Sequence, residues 1–491
     1  LVKGLDFILK AGRLDKEICG VAYDSREVVK DGIFVAISGY AADGHAFIGQ
    51  ALEKGVNTVV VEKDVNLADD RLTVLKVEDS RLALAILSAN YFGNPSAQMN
   101  LIGITGTNGK TSISYLLKGI FEQANRSIGL IGTIGTVIGS EFKKNKNTTP
   151  ESYNLQQLLS EMVSNGIDNC VLEVSSHALS LNRVASCVFR AGIFTNLTPD
   201  HLELHNNMEE YFQAKAKLFR MSRDFNIINI DDKYGRRLAD PAKGFQAKTV
   251  TYGLTDRADV YATDICYNAD STVFMAHTPQ GGIEIKVNFP GEIYVSNSLA
   301  AIACACCYGI SLQDIRQGIA SVREIKGRFE VVYQDKDIRV IIDFAHTEDG
   351  LEKALTTIRP FTKGRLIIVF GVYAAPGLKG RDKRQAMGRV AALYSDFAVI
   401  TSDNPKEQPP ELIIEEIVDS FKKYSNNYAA IVDREEAIKY AIEISKPDDV
   451  ILIAGKGHET TQKIGKTEVP LNEAAIVKEA IQKRKLKDKL A

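Results

Sequence analysis

The chain contains no tryptophan, which removes the strongest stacking residue for exposed nucleic-acid bases, although Tyr and Phe remain. It also lacks a charge excess of either sign. Its 60 Lys and Arg against 62 Asp and Glu leave a formal net charge of -2 at pH 7, so no general attraction to nucleic acid or an anionic membrane is expected. Long apolar runs are missing too. No segment approaches the ~20 apolar residues of a membrane span, and the opening "LVKGLDFILKAGRLDKE" has too short an apolar run for a signal peptide. The seven cysteines, at 19, 170, 187, 266, 304, 306 and 307, show no ladder of spacings that suggests disulfides or zinc. In "AAIACACCYGI" they act as small hydrophobes, and a reducing cytoplasm is the expected home. There is no internal repeat or low-complexity tract, only a Lys-rich end that reads as a solvated helix.

What is present is a long alternation of strands and helices. At 491 residues the chain exceeds one core and implies roughly three domains. Residues 1–97 read as a first unit of short strands and helices, closed by the Gly, Pro and Ser of "YFGNPSAQMN". Apolar runs ending in polar residues ("CVLEVSS", "FRAGIFTN", "FNIINID") then predict a mostly parallel sheet over 98–327. After "REIKGRFEVV" a second such series, over 328–491, begins with "RVIIDFAH" and ends near "DVILIAGKGHE". In open sheets of this class ligands gather at the carboxyl ends of strands.

The most informative stretch is "NLIGITGTNGKTSISYLLKGI", residues 100–120. An apolar strand, Leu101 to Ile104, feeds a glycine-rich turn and then a helix N-terminus, which is a phosphate site by geometry. Gly106 and Gly109 let backbone N–H groups turn inward, with Thr107 and Asn108 between them. Lys110 is placed to reach terminal phosphates and Thr111 to hold Mg²⁺. The strict eight-residue pattern fails only at its first position, where Ile104 replaces Gly.

Five of the seven histidines, His177, His201, His205, His346 and His458, fall in polar clusters at or just after strand ends. In "LEVSSHALSLNR", Glu173 stands at a strand tip, where a phosphate-loop protein holds its metal; capping the next turn is the alternative. In "FTNLTPDHLELH", His201 and His205 invite a zinc reading, but a zincin needs Glu at 202 and the residue is Leu. Asn196, Asp200 and His201 instead either complete a Mg²⁺ and phosphate site or cap local structure. The two lysines of "YFQAKAKLF" read, from sequence alone, as a solvated helix face.

Together "GITGTNGKTS", "NTTPES", "LEVSSHAL", "FTNLTPDHLELH", "YFQAKAKLF", "GRFEVV", "IIDFAHTEDGL", "SDNPK" and "AGKGHE" closely resemble the Mur ligase family, over essentially the whole chain. The combination of "EVSSHAL", "SDNPK" and "GKGHE" is similar to the branch that adds the third residue of the peptidoglycan stem peptide. The resemblance implies three α/β domains: a smaller N-terminal UDP-binding domain, a central ATPase domain and a C-terminal Rossmann-like domain that takes the amino acid. It implies a cytoplasmic, monomeric, ATP-dependent ligase that phosphorylates the D-Glu carboxylate of UDP-N-acetylmuramoyl-L-alanyl-D-glutamate and lets a diamino acid attack the acyl phosphate.

Residue by residue, the resemblance implies that Ser25 and Arg26 hold the UDP, and that Asn147, Thr148, Thr149, Ser175 and Arg183 contact the muramoyl-dipeptide. Thr111, Glu173, His201 and a carbamylated Lys215 would hold Mg²⁺. Asn297, Arg328, Asp343 and His346 would join Gly106–Thr111 around ATP. Arg381, Asp403, Asn404, Lys406, Gly455 and Glu459 would receive the amino acid.

The chain departs from the family pattern where the amino acid is expected. The usual G-x-F-N-V-x-N is "GEIYVSN", with Tyr294 in place of Asn; the late D-R-E is "NEA"; the glycine-rich G-G-D-R-D becomes the longer "GVYAAPGLKGRDKRQAMG", leaving Arg381 or Arg384 to supply a guanidinium; and D-N-P-R is D-N-P-K. Lys406 keeps the charge without the bidentate fork. A diamino diacid, meso-diaminopimelate ahead of lanthionine, is therefore expected, with L-lysine or ornithine as alternatives. The rival classes are a phosphate-loop kinase or phosphatase, a folylpolyglutamate-synthase-like ligase and a non-catalytic nucleotide-binding module.

Overall fold

The computed structural model describes residues 1–39, 42–65, 72–200, 205–375 and 377–490, the side chains of 487–490 excepted. Among the described residues, three large sheets follow one another along the chain, with a small hairpin, Thr461–Ile464 against Thr467–Pro470, after the third. The first sheet has five strands between Ile8 and Lys76, parallel except for the edge strand Ile8–Ala11.

The second sheet has eleven strands between Asn100 and Val287. At its centre the strand Asn100–Thr105 lies between Asn169–Glu173 and Phe189–Phe194, parallel to both. Leu101 to Thr105 are all buried, as a strand covered by helices on both faces requires. Both edges of the sheet turn antiparallel. One carries Thr136–Ile138 and Glu141–Lys143; the other is a meander over Val260–Tyr267, Thr272–Thr278 and Gly281–Val287. In the meander buried and less buried residues alternate along much of each strand, the mark of a sheet packed on one face. The third sheet has six strands between Glu330 and Ala454, all parallel but the edge strand Glu330–Gln334.

Two features aim the strand ends at each other. The helix Lys110–Gln123, which starts at the phosphate turn, buries Ile113, Leu116, Leu117 and Ile120, the i, i+3, i+4, i+7 stripe of an amphipathic helix. One apolar cluster then runs from Ile104 and Ile113 through Tyr294 and Phe329 to Ile341 and Leu351, so the core beside the second sheet is continuous with one face of the third. No helix among the described residues is long and apolar enough to cross a membrane.

Candidate active site

The phosphate turn depends on its two glycines. Gly106 has φ +149° and Gly109 φ +92°, where L side chains are strained. A Cβ on Gly106 would stand 1.7 Å from Thr195 Oγ1, and one on Gly109 would stand 2.5 Å from Asn297 Oδ1. Side chains from the next strand end brace the loop from below. Asn108 N donates to Asn196 Oδ1 at 2.9 Å, Thr195 Oγ1 donates to Asn108 O at 2.7 Å, and Thr107 Oγ1 donates to Thr198 O at 3.2 Å.

Lys110 folds back over this turn, its Nζ donating to the carbonyls of Gly106 and Thr107, both at 2.9 Å. Burial lowers the pKa of its ammonium, against the opposing pull of Glu173. Pairing of Asn169–Glu173 with Asn100–Thr105 sets Glu173 opposite Ile104, beside the turn. The Glu173 carboxylate is fully buried and accepts from Thr111 Oγ1 at 3.0 Å, Thr133 Oγ1 at 2.8 Å and Thr133 N at 3.1 Å.

The two lysines of the helix Met208–Met221 part company. Lys217 is exposed, whereas Lys215 is only 2% exposed. Lys215 Nζ donates to Gly106 O at 2.9 Å and lies 4.6 Å from the centre of the Tyr211 ring. Burial, and then the neighbouring Lys110 charge, push its pKa far below the ordinary lysine value. A solvated face therefore describes Lys217 and not Lys215. His201 lies outside the described residues.

A cleft of about 240 Å³ opens above the turn, between it and the strand ends of the third sheet. Arg328 crosses the gap, with Nη2 donating to Thr111 Oγ1 at 3.1 Å and its guanidinium 4.5 Å from the Phe344 ring centre. Asp343 accepts from Phe329 N at 2.7 Å and Ala345 N at 2.8 Å; desolvation still pushes its carboxyl up. His346 Nδ1 bonds Phe344 O at 2.8 Å, and its Nε2 faces Asp200 Oδ2 at 3.7 Å. Asn297 is buried against Gly109, and Tyr294 lines the cleft one turn earlier.

The residues expected around the muramoyl-dipeptide fall into three places. Thr149 Oγ1 donates to Glu173 O at 2.7 Å and accepts from Ser175 N at 3.0 Å, while Arg183 Nη1 donates to Thr149 O at 3.0 Å and pairs with Glu151 at 2.6 Å. Thr148 reaches Thr133 at 3.1 Å, and Asn147 is exposed. Ser25 and Arg26 sit apart, on the first sheet's unit: Ser25 is buried and bonds Gln50 at 3.1 Å, and Arg26 is exposed and paired with Asp24 at 2.6 Å.

At the third sheet, Asn404 and Glu459 come together over a buried lysine absent from the expected site. Lys456 Nζ donates to Glu459 Oε2 at 2.6 Å and Asn404 Oδ1 at 3.1 Å, and Asn404 Nδ2 donates to Glu459 Oε2 at 3.3 Å. Burial opposes ionisation of Glu459, but Lys456 and Asn404 outweigh it and lower its pKa. Gly455, at φ +114°, passes Asp403 so closely that a Cβ would stand 2.9 Å from Oδ2.

The two arginines do not approach this group in the same way. Arg384 is buried in an ion pair with Glu416 and donates to Ala375 O at 3.1 Å; Arg381 is exposed. Another cation of the same helix, Lys383, reaches the second sheet's unit: its Nζ donates to Asp200 Oδ1 at 3.1 Å and to the Tyr373 hydroxyl at 3.0 Å. Lys406 Nζ lies 5.9 Å from the centre of the same Tyr373 ring. Lys456 belonged to a motif visible in sequence, "GKGHE"; Thr133, Tyr373 and Lys383 had no distinguishing signal beyond the unusual loop that holds the last two.

These features have counterparts in proteins of known family. Family models match three segments: "Mur ligase family, catalytic domain" over residues 17–92, "Mur ligase middle domain" over 104–305, and "Mur ligase, glutamate ligase domain" over 327–457. The chain belongs to the Mur ligase family. A relative from Caldanaerobacter subterraneus subsp. tengcongensis, named UDP-N-acetylmuramoyl-L-alanyl-D-glutamate--2,6-diaminopimelate ligase, is 44% identical over 98% of each chain. A ligase of the same name from Clostridioides difficile is 43% identical, covering 98% of this chain and 99% of its own. A solved structure of an enzyme of that name superposes with TM-score 0.68 at 29% identity, covering 96% of this chain and 97% of that one. Mur ligases are ATP-dependent amide ligases, so the chain is an enzyme of that class.

Proposed function

We propose that this Mur ligase joins meso-diaminopimelate to UDP-N-acetylmuramoyl-L-alanyl-D-glutamate, in the cytoplasm and as a monomer. The observation that carries the reading is that the phosphate turn, Glu173 and, bonded to the turn, buried Lys215 stand at a cleft whose other wall is Arg328, Asp343 and His346, on the unit that also carries Asn404, Lys406 and Glu459. Residues 1–97 would anchor the UDP through Ser25 and Arg26, 98–327 would hold ATP and the muramoyl-dipeptide, and 328–491 would deliver the amino acid.

ATP would lie with its phosphates on the N–H groups of Gly106 to Thr111, with Arg328, Asp343, His346 and Asn297 around the rest of the nucleotide. The residues fit Mg²⁺: Glu173 is a buried carboxylate with a hydroxyl, Thr111, at 3.0 Å. Among the described residues no three His, Cys, Asp or Glu side chains form a metal cluster, so the full set would draw on His201 and a carbamate on Lys215. Lys215 suits carbamylation because burial favours its neutral amine, the form that adds CO₂ and loses a proton to give an anionic oxygen donor. Bound there, Mg²⁺ would offset charge on the transferred phosphoryl group.

The substrate's D-Glu carboxylate attacks the γ-phosphorus and ADP leaves. Thr149, Ser175 and Arg183 orient that substrate, and Lys110 neutralises the phosphoryl oxygens. The incoming amine then attacks the acyl carbon, phosphate departs and the amine's proton passes to solvent. Lys406 would receive the distal carboxylate of the diacid and Glu459 its distal ammonium.

A charge-assisted hydrogen bond contributes roughly 1.5–3 kcal/mol, so the diacid should be preferred over L-lysine by about one to two orders of magnitude in kcat/KM. Phosphate release from ATP, measured with UDP-muramoyl-dipeptide and a panel of diamino acids, tests this. Equal or better use of L-lysine or ornithine, or unchanged selectivity in Lys406→Ala, would overturn the substrate assignment. Phosphate release independent of any amino acid would favour a kinase or phosphatase.

A further inference from the structure

Lys456 follows the strand Asp449–Ala454 by two residues and stands three before Glu459, the acid assigned above to the distal ammonium. Its side chain is 0% exposed. The loop that turns it inward has glycine on both sides, Gly455 at φ +114° and Gly457 at φ +54°, and a Cβ on Gly457 would stand 2.8 Å from Gly327 O.

The buried ammonium meets two acceptors, Glu459 Oε2 at 2.6 Å and Asn404 Oδ1 at 3.1 Å, and Asn404 Nδ2 closes the triangle on the same Glu459 oxygen at 3.3 Å. Asn404 is held from its other side too. Its Oδ1 also accepts from Lys463 N at 2.9 Å, on the hairpin strand Thr461–Ile464, and Lys463 O accepts from Lys406 N at 3.0 Å. Gln462 Nε2 adds a bond to Asp403 O at 2.6 Å. The hairpin thus fixes the segment 403–406, in which Lys406 has φ +50°, a left-handed conformation that lysine seldom adopts.

Every hydrogen bond that the Glu459 carboxylate accepts from described residues falls on Oε2. Oε1 accepts none, and the side chain is 35% exposed. An ammonium arriving at Oε1 would have the carboxylate between itself and Lys456, so the two cations need not compete. The titratable groups on the segments around Glu459 are Lys456 and His458 of its own loop, Asp403 and Lys406 of the segment bonded through Asn404, and Lys463, which pairs with Glu468 at 3.1 Å. Burial lowers the His458 pKa to about 4, so that ring is uncharged above about pH 5.5. Burial also works against the Glu459 charge, and Lys456 is the strongest influence in its favour.

We propose that Lys456 is a positioning residue for the amino-acid step, clamping Glu459 by one carboxylate oxygen so that the other receives the distal ammonium. This rests on the ligase reading above. It adds that the acceptor is set before the amino acid arrives, by a side chain that touches neither that ligand nor ATP.

Steady-state phosphate release by the full-length enzyme, with meso-diaminopimelate varied at several pH values, tests the clamp. The quantity read is the KM of a variant divided by that of wild type at the same pH, which cancels the titration of the attacking amine. Lys456→Gln keeps an N–H donor for Glu459 but no charge. Its KM ratio for the amino acid should lie within about twofold of one at pH 8 and rise by about threefold as pH falls to about 5.5, where the half-buried carboxyl takes a proton. Lys456→Met loses the donor as well, so its ratio should already be about ten at pH 8. KM for ATP should stay within about twofold of wild type in both variants.

A ratio in Lys456→Gln that does not change with pH, an amino-acid KM in Lys456→Met equal to that of wild type, or an equal rise in KM for ATP would overturn the proposal and leave Lys456 as a structural ion pair. If Lys456→Met does not fold, Lys456→Gln alone decides it through the pH series. Wild-type enzyme that failed to ligate any amino acid would instead refute the functional reading.

Discussion

Lys215 holds a charged group's position at the expense of that group's preferred state. An ammonium only 2% exposed, with Lys110 close by, is disfavoured on two counts, and its hydrogen bond to Gly106 O is duplicated by Lys110. Lys215→Met should therefore reduce ligation by about 10²-fold or more, through loss of the carbamate, while raising Tm. The sign of the pH dependence follows from linkage. A lysine whose folded pKa lies below its unfolded value of 10.5 binds fewer protons when folded. Its penalty is present at neutral pH and is relieved as pH rises toward 10.5. The Tm advantage of Lys215→Met should thus shrink between pH 7 and about pH 10. A calorimetric or dye-based melting series checks it, and a variant less stable than wild type at pH 7 would contradict it. Sequence reading found the phosphate turn because its glycines, lysine and threonine are adjacent in the chain. The local pattern did not separate Lys215 from Lys217, which only the family resemblance did, because burial of one and solvation of the other depend on what packs against each face of their helix.

The helix Gly377–Tyr394 shows the same limit for a whole element. The altered loop made Arg381 and Arg384 equal candidates, and nothing local distinguished them. Glu416, the partner that buries Arg384, lies more than thirty residues later, on the helix Pro410–Phe421. Arg384→Ala should destabilise the fold by about 1–3 kcal/mol by removing the partner of Glu416 and the donor to Ala375 O. Arg381→Ala should leave both Tm and kcat/KM within about twofold of wild type if its exposure reflects a solvated role. Paired melting and kinetic measurements decide it: a large rise in KM for the amino acid in Arg381→Ala, with normal Tm, would return that arginine to the pocket. The strands were easier to read than the sheets. Apolar runs with polar ends marked the central parallel strands of the second and third sheets, but the two antiparallel edges of the central sheet are set by pairing partners, which a single strand's pattern does not specify.

Across the whole molecule, contacts between the second sheet's unit and the third include Asn108 to Asp349 at 2.8 Å, Arg328 to Thr111 at 3.1 Å, Lys383 to Asp200 at 3.1 Å, and Arg339 to Ala269 O at 3.2 Å and to the Asp270 carboxylate. They differ in what they can sustain. Burial pulls the Lys383 ammonium toward neutrality, but Asp200 and then Tyr373 outweigh it, so its pKa is raised above the usual 10.5. A lysine with a raised folded pKa contributes stability that is fully present below 10.5 and lost only above it. Asp200 is 4% exposed and Lys383 17%, so the pair is also poorly reached by salt. Docking of the third unit through Lys383 should therefore persist at neutral pH from about 0.05 to about 0.5 M salt. Lys383→Met should weaken it by removing the ammonium that bonds Asp200, while His346 stays 3.7 Å away. Opening of the third unit then predicts a larger radius of gyration and a KM for the amino acid raised by about tenfold, with a smaller rise in KM for ATP, whose phosphates rest on the second unit while Arg328, Asp343 and His346 come from the third. Solution scattering with and without an ATP analogue, read beside the kinetics, tests both parts. The same compactness and the same KM in Lys383→Met would show that the remaining contacts suffice to hold the units together.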